Sequence, residues 1–167
     1  MDCNNIELHK TINELNFKSV IISTGMSTFP EIERTISLYE NKEILLMSCR
    51  STYPAKLEDI DLGEIPFLSN KTNTMVGFSD HTEGDNASLL AVALGAKFIE
   101  RHFTINKNLS GPDNIMSINE LETMKLSKNL QTVSDSIERN QKIIHPSEQN
   151  TFNMQKKSLR FKEDKKK

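Results

Sequence analysis

The chain has 167 residues, of which 36% are hydrophobic and 26% charged, and its formal net charge is -2. This composition is typical of one globular domain and excludes collagen-like and wholly disordered proteins. No apolar run approaches the roughly 20 residues that cross a bilayer, and the first residues lack the basic and apolar regions of a signal peptide. We therefore expect a cytoplasmic protein without a membrane partner.

The C-terminal segment differs in charge from the rest of the chain. Residues 156–167 contain seven basic and two acidic residues, which leaves the remainder with a net charge of -7. Because this basic excess lies in a tail and not across a folded face, we expect no nucleic-acid partner. We predict a domain over residues 1–145 and a poorly ordered linker and basic tail over residues 146–167. Cys3 and Cys49 form no CxxC pair and are expected to be free thiols.

Four short apolar runs, each closed by polar residues, predict strands of a parallel sheet that is covered on both faces. We place these strands at residues 19–23, 43–48, 74–78 and 97–102. Helix-period patterns separate them. The predicted helices are Asn5–Leu15, a segment that begins near Pro30 and carries Ile32, Ile36 and Tyr39, a weaker Asp59–Leu68, Ala87–Leu94, and a long helix after Ser117.

Local signals predict where two of these helices begin and where one ends. Asn86 is expected to cap the fourth helix, and Gly95 is expected to end it in a left-handed conformation. Ser117 and Glu120 have the spacing of a capping box that opens the last helix. The order is one helix followed by four βα units, which indicates a parallel α/β fold with right-handed crossovers.

Two architectures fit this order: a small doubly wound sheet, or half of an eight-stranded barrel. An unrelated phosphate-binding doubly wound domain would need a glycine-rich loop after the first strand. The segment from Ser23 to Ser27 contains one glycine, which argues against that class. In either architecture the functional face lies at the carboxyl ends of the strands.

Two histidines follow consecutive predicted strands, His81 and His102, and they are 21 residues apart. Because neighbouring parallel strands lie about 4.8 Å apart, both imidazoles could converge on one metal ion or one substrate atom. A hydrogen-bonded structural role is the alternative for each of them. Glu100 lies two residues before His102 and is expected on the same side of its strand, either as a functional acid or paired with Arg101 or Lys97.

Other polar residues near the strand ends are weaker candidates for a site. Asp113 lies on a turn-forming segment, where Asp is common because it bonds its own backbone. Ser23, Ser51 and Ser79 each follow or end a strand and could bind an anion through their hydroxyls and nearby backbone N–H groups. Serine is common at such positions.

Several strings in this chain make a specific resemblance. Their order and spacing are similar to those of the sialic acid synthase family, which comprises N-acetylneuraminate synthase and its legionaminic and pseudaminic acid relatives. The combination of SDHT with the later ERHFT string is highly specific. The matching strings are ISTGM (22–26), STYPA (51–55), GFSDHT (77–82), ALGAKFIERHFT (93–104), GPD (111–113) and PSEQN (146–150).

This resemblance implies the C-terminal half of a (β/α)8 TIM-type barrel and a metal-dependent enzyme. The implied reaction condenses phosphoenolpyruvate with an N-acetylated hexosamine, such as N-acetylmannosamine, to a nine-carbon sialic-type acid plus phosphate. By the resemblance, His81 and His102 are implied to hold a divalent ion, which is typically Mn²⁺ in that family, and to act in catalysis with Glu100. Asp113 and Tyr53 are implied to contact the sugar. Ser23, Ser51 and Ser79 are implied to lie around phosphoenolpyruvate, and full-length relatives are expected to be homodimers.

Departures from the family pattern limit these expectations. The usual GPDH string reads GPDN here, with Asn114 in place of the histidine, and Ser51 stands where some relatives carry Asn. Lys157-Ser158-Leu159 resembles a further family string, after which the sequence is mostly basic. The upstream half of the barrel is absent from this sequence, so we expect two open sheet edges, near 19–22 and 98–103, and no turnover by this chain alone. The alternative function is a non-catalytic fragment that binds metal or sugar or assembles with an upstream half-barrel.

Overall fold

The computed structural model describes residues 2–137 and 142–155 of the chain. In this part, the four strands form one parallel sheet in the order β1-β2-β3-β4, so each strand pairs with the next one along the chain. The elements are α1 (Ile6–Glu14), β1 (Ser19–Ser23), α2 (Phe29–Ile36), β2 (Glu43–Cys49), α3 (Glu64–Thr72), β3 (Met75–Asp80), α4 (Asn86–Ala93), β4 (Ile99–Arg101), α5 (Glu120–Ile137) and α6 (Gln149–Gln155).

The predicted fold class is confirmed: four βα units form a parallel half-barrel. β1 has the predicted bounds, β2 and β3 end one and two residues later than predicted, and β4 is shorter than predicted. In the predicted tail, residues 146–148 form a 3₁₀ turn and residues 149–155 form α6. Residues 156–167, with the Lys157-Ser158-Leu159 string, lie outside the described residues.

The hydrophobic core lies on one face of the sheet, between the strands and the helices. Side chains alternate along a strand, so every second residue points to the helices. The buried core on this face comprises Ile22, Ile44, Leu46, Val76 and Phe78 from the strands and Ile32, Ile65, Leu68, Ala87 and Ala91 from the helices. We call this side the outer face, because helices surround a barrel on the outside.

The opposite side of the sheet, which we call the inner face, is open over much of its area. Ile21 on β1 and Met75 on β3 belong to this face by alternation, and their exposed fractions are 59% and 43%. In a closed barrel, layers of such side chains fill the interior. A groove of about 570 Å³ also runs between β4 and α5, lined in part by Phe98, Ile99 and Leu126. The open face and this groove are the features expected of an incomplete barrel.

Three predicted helix boundaries are wrong: the start of α4 and both ends of α3. Asp85 precedes α4 as its N-cap, so Asn86 is the first helical residue and not the cap. α3 starts after Gly63 and runs to Thr72, later than predicted, because Pro66 lies in its first turn, where a missing N–H costs little. The left-handed conformation predicted for Gly95 is confirmed, with φ at 105°.

The predicted capping box between Ser117 and Glu120 does not form. Asn119 and Glu122 make that exchange instead: the Asn119 N–H donates to the Glu122 carboxylate at 2.9 Å, and the Glu122 N–H donates to Asn119 Oδ1 at 3.0 Å. Ile118 is still extended, since its N–H donates to the His102 carbonyl at 2.8 Å, and the helix therefore begins later. The pKa of Glu122 is lowered, first by its hydrogen bond from Lys107 and then by the Asn119 N–H.

The N-terminal helix is fixed to the domain through a buried histidine. His9 is 4% exposed, and its Nε2 lies 2.9 Å from the Asp2 carbonyl, which can only accept a hydrogen bond. Nε2 therefore carries the proton, and Nδ1 accepts from the Tyr39 hydroxyl at 2.6 Å. Burial raises the pKa of Tyr39. Within the described residues, no helix is long and apolar enough to span a membrane.

Gly77 on β3 allows close contact between β3 and β4, and this gives a test of the sheet. A Cβ at Gly77 would overlap the Phe98 ring and lie 2.7 Å from the Phe98 carbonyl oxygen. We expect Gly77→Ala to lower the free energy of unfolding by about 2 kcal/mol or more, because backbone cannot move aside as a flexible side chain can. Urea denaturation followed by circular dichroism measures this loss. Gly63→Ala is the matched control, since its Cβ would meet only the Asp61 side chain, and an equal loss in both variants would contradict the account.

Candidate functional site

The candidate site lies on the inner face, where the parallel strands end. Register partners Cys49, Ser79 and Glu100 form a row across β2, β3 and β4 at this edge. The next residues on β3 and β4, Asp80 and Arg101, pair with each other in register and therefore face outward. His81 and His102 follow them and return to the inner face.

His81 is held in one orientation and one tautomer. Its exposed fraction is 7%, and its Nδ1 lies 2.8 Å from the Arg50 carbonyl oxygen. Because a carbonyl oxygen only accepts hydrogen bonds, Nδ1 carries the proton and Nε2 keeps its lone pair. Nε2 lies 3.3 Å from the Ser79 hydroxyl, on the inner face. The contact with Arg50 thus orients the ring so that Nε2 is the nitrogen turned to the inner face.

His102 and Tyr53 complete an aromatic cluster with His81. The ring centroids of His81 and His102 are 5.3 Å apart, with the rings at 77° to each other. The Tyr53 ring lies 4.3 Å from the His81 ring and 5.8 Å from the His102 ring. The convergence of the two imidazoles therefore agrees with the expectation from strand spacing, and their function as ligands stays a prediction.

Glu100 is bound by a hydroxyl and not by a cation. The Ser79 hydroxyl donates to Glu100 Oε1 at 2.6 Å. Among the described residues, neither Arg101 nor Lys97 forms an ion pair with Glu100. The alternative prediction, that Glu100 pairs with one of these two cations, is therefore wrong. Arg101 does not pair with Glu100 because adjacent residues on a strand point to opposite faces of the sheet. Ser79 thus lies between the Glu100 carboxylate and His81, and its one hydroxyl proton is directed to Glu100.

Both cations at the strand ends are turned away from the inner face. Arg101 Nη1 lies 2.6 Å from the Asp80 carboxylate. Arg50 Nη2 lies 3.6 Å from Glu64, which also accepts from the Ser48 hydroxyl at 3.0 Å. Acidic side chains on the outer face therefore engage both arginines.

The segment after β4 brings a second carboxylate near His102. Asp113 Oδ2 lies 3.7 Å from His102 Nδ1, and the Asp113 carbonyl accepts hydrogen bonds from Ser117. Asn114, which replaces the histidine of the GPDH string, donates from its side chain to the Leu109 carbonyl at 2.9 Å. Asn114 thus holds its own loop together and leaves Asp113 near the imidazole.

The remaining predicted serines are less directly connected to the imidazoles. Ser23 ends β1, and the Ser51 side chain contacts the position that a Cβ of Gly25 would occupy. Within residues 2–137 and 142–155, no side-chain hydrogen bond links either serine to His81 or His102. The structure thus joins Ser79, Glu100, His81, His102, Tyr53 and Asp113, and it leaves Ser23 and Ser51 beside the adjoining β1–α2 loop.

Cys49 belongs to this face, and sequence analysis considered it only as a free thiol. Burial raises its pKa, which the Gly25 N–H offsets in part. Burial likewise raises the pKa of the Tyr53 phenol. Both groups are therefore neutral at physiological pH, and the acidic residues of the site are Glu100 and Asp113. Strand alternation could have placed Cys49 on this face, because Cys49 precedes the predicted site residue Ser51 by two residues.

The side chains of this site suit a divalent cation, but they supply only part of the ligands that such an ion needs. Two imidazoles are good ligands of borderline ions such as Mn²⁺, and the nearby carboxylates add negative potential. The Arg50 carbonyl that fixes the His81 tautomer is the kind of outer partner that metal-binding histidines have. Across the described part of the chain, no group of three or more His, Cys, Asp or Glu residues has metal-site geometry. Further ligands would therefore come from water, substrate or another part of a larger protein.

Comparisons with known proteins agree with this architecture. Residues 1–142 match the model of the NeuB family. N,N'-diacetyllegionaminic acid synthase of Campylobacter jejuni is 38% identical over 168 residues, which cover 98% of this chain and 50% of that protein. An uncharacterised protein of Methanocaldococcus jannaschii is 39% identical over 145 residues, 85% of this chain and 43% of that protein. The crystal structure of the sialic acid synthetase of Leptospira borgpetersenii matches with a TM-score of 0.83 at 31% identity, over 92% of this chain and 54% of that one.

The fold and the strand-end site define this protein as part of a TIM-type barrel of the kind seen in that synthetase. The chain belongs to the NeuB family. It spans about half the length of the curated relatives that it matches.

The hydrogen bonds to the histidines predict opposite tautomers for His81 and His9. We expect His81 to carry its proton on Nδ1, because the Arg50 carbonyl accepts there, and His9 to carry it on Nε2, because the Asp2 carbonyl accepts there. Long-range ¹H–¹⁵N correlation spectra report which ring nitrogen is protonated. They should be recorded about two pH units above the ordinary histidine pKa of roughly 6.5. A proton on Nε2 of His81 would remove the lone pair on which the metal interpretation depends.

Proposed function

We propose that this chain forms one half of the active site of a sialic-type acid synthase. The reaction joins C3 of phosphoenolpyruvate to the aldehyde carbon of an N-acetylated hexosamine, such as N-acetylmannosamine, and yields a nine-carbon acid and phosphate. The observation that carries this proposal is the pair of imidazoles, His81 and His102, 5.3 Å apart on the inner face of a NeuB-family half-barrel. Relatives named as legionaminic and sialic acid synthases support the reaction class.

His81 and His102 would hold the divalent ion, for which Mn²⁺ is our choice. When bound, such an ion polarises a carbonyl oxygen as a Lewis acid. His81 is suited to this role because the Arg50 carbonyl holds a proton on Nδ1, so that Nε2 on the inner face is the nitrogen that would bind the ion. The Tyr53 ring packs beside the rings of both histidines, at centroid distances of 4.3 and 5.8 Å.

The carboxylates are assigned to the sugar. Ser79 occupies one oxygen of Glu100, so the other carboxylate oxygen is free to accept a sugar hydroxyl. Asp113 is about half exposed beside His102 and can accept a second hydroxyl. Hydrogen bonds from neutral hydroxyls to ionised acceptors are stronger than bonds between neutral groups, which favours this use of the two acids.

Phosphoenolpyruvate requires cationic partners and not carboxylates, because it carries several negative charges. Ser23, Ser51 and Ser79 supply hydroxyls near its proposed position, yet Arg50 and Arg101 are engaged by Glu64 and Asp80. The cations that grip this substrate must therefore come from outside the described part of the chain. Each missing charged donor costs on the order of 3 kcal/mol of transition-state stabilisation. We infer that the 167-residue chain alone does not turn over.

A second function is favoured by the exposed inner face. Ile21 and Met75 are exposed there, and burying them would stabilise an assembly with an upstream half-barrel. In this role the chain binds metal or sugar without catalysing the reaction by itself. For the complete barrel we propose a homodimer.

Phosphate release tests the proposed function. The purified chain is compared with a chimera in which the upstream half of the Campylobacter jejuni relative is fused before residue 1. Each receives phosphoenolpyruvate, Mn²⁺ and either N-acetylmannosamine or a diacetamido hexose. We expect sugar-dependent release by the chimera and none by the isolated chain, because only the chimera closes the barrel and adds cations.

One control variant and two contrary outcomes complete this test. The chimera with His102→Ala should fold, as judged by circular dichroism, and release no phosphate. A folded chimera without activity on either sugar would argue for the non-catalytic role. Strong release by the isolated chain would show that the missing half is dispensable and that our account of the site is wrong.

A further inference from the structure

We propose that the buried Asp80–Arg101 ion pair is a positioning device for the two imidazoles. This inference rests on the proposed use of His81 and His102 as a metal pair. Asp80 and Arg101 are register partners on β3 and β4, and each directly precedes one of the histidines. The ion pair therefore joins the two strands on the outer face, one residue before the imidazoles on the inner face.

The pair is well buried and has short contacts. The Asp80 and Arg101 side chains are 0% and 5% exposed, and Arg101 Nη1 lies 2.6 Å from Asp80 Oδ2. Ser88 of α4 donates to the same carboxylate oxygen at 2.5 Å. A buried pair of this kind resists sliding because its charges and hydrogen bonds have one good geometry. It thus fixes the distance between the last residues of two neighbouring strands.

The same pair also holds the loop that carries His81. The Asp80 carboxylate accepts from the Thr82 N–H at 2.8 Å and from its hydroxyl at 2.7 Å. In return, the Arg101 guanidinium donates to the Thr82 and Gly84 carbonyls at 3.0 and 3.1 Å. His81 therefore lies between two residues that Arg101 restrains, and Arg101 itself adjoins His102. One guanidinium connects the backbone around both imidazoles.

Arginine suits this position and lysine does not. A lysine at residue 101 would keep a positive charge near Asp80. Its single ammonium cannot reproduce the planar fork that reaches the carboxylate and two carbonyls in different directions. Arg101→Lys therefore separates the positioning role from the mere presence of charge.

The test measures the spacing of the imidazoles without requiring activity. In the labelled 167-residue chain, we expect nuclear Overhauser cross-peaks between the His81 and His102 ring protons, and loss of these cross-peaks in Arg101→Lys. We also expect Mn²⁺ affinity, followed by the electron paramagnetic resonance of the free ion, to fall about tenfold, as for other partners that orient metal ligands. Ser88→Ala removes one donor to Asp80 and should weaken the cross-peaks with the fold preserved.

Leu68→Ala is the control for stability, because Leu68 is buried in α3 against the outer core. It should lower the unfolding midpoint and leave the cross-peaks and Mn²⁺ affinity unchanged. Wild-type cross-peaks and affinity in both Arg101→Lys and Ser88→Ala would overturn the inference. If Mn²⁺ broadens neither ring in the wild type, the metal assignment fails, and the cross-peaks alone still decide whether the ion pair positions the imidazoles.

Discussion

The parallel pairing of β3 with β4 is the constraint on which the candidate site depends. Its register places Ser79 beside Glu100 on the inner face and Asp80 beside Arg101 on the outer face. A shift of β4 by one residue in this pairing would turn Arg101 to the inner face and Glu100 to the outer face, and it would separate Arg101 from Asp80. Gly77 supports the register, since the close approach of Phe98 leaves no room for a larger residue.

The electrostatics that follow from this register explain why the chain holds only part of a site. Alternation turns Glu100 and the two imidazoles inward, where they suit a cation and sugar hydroxyls. It turns the strand-end arginines outward, where Arg50 lies near Glu64 of α3 and Arg101 pairs with Asp80 of β3. The phosphoenolpyruvate that we propose as a substrate is anionic, and it needs cations that this arrangement does not provide. The open inner face, with Ile21 and Met75 exposed, points to the same missing half on grounds of packing alone.

The strands and the convergence of the histidines could be predicted because alternation and strand spacing are local rules that the sequence obeys. The helix starts at Asp85 and Asn119 were missed, since several capping residues compete there and tertiary contacts choose between them. The pairing of Arg101 with Asp80 could have been inferred from strand alternation, which also argues against the alternative pairing of Arg101 with its neighbour Glu100. The contact of Ser51 with Gly25 depends on how two loops pack, which no spacing rule provides.

The central claim is that His81 and His102 form the metal pair of this half-barrel. Anomalous diffraction at the manganese absorption edge, from crystals of the chain grown with Mn²⁺, tests it most directly. The account predicts an anomalous peak on the inner face between the two imidazoles, within bonding distance of His81 Nε2. Bound manganese elsewhere in the crystal, with no peak between these rings, would contradict it.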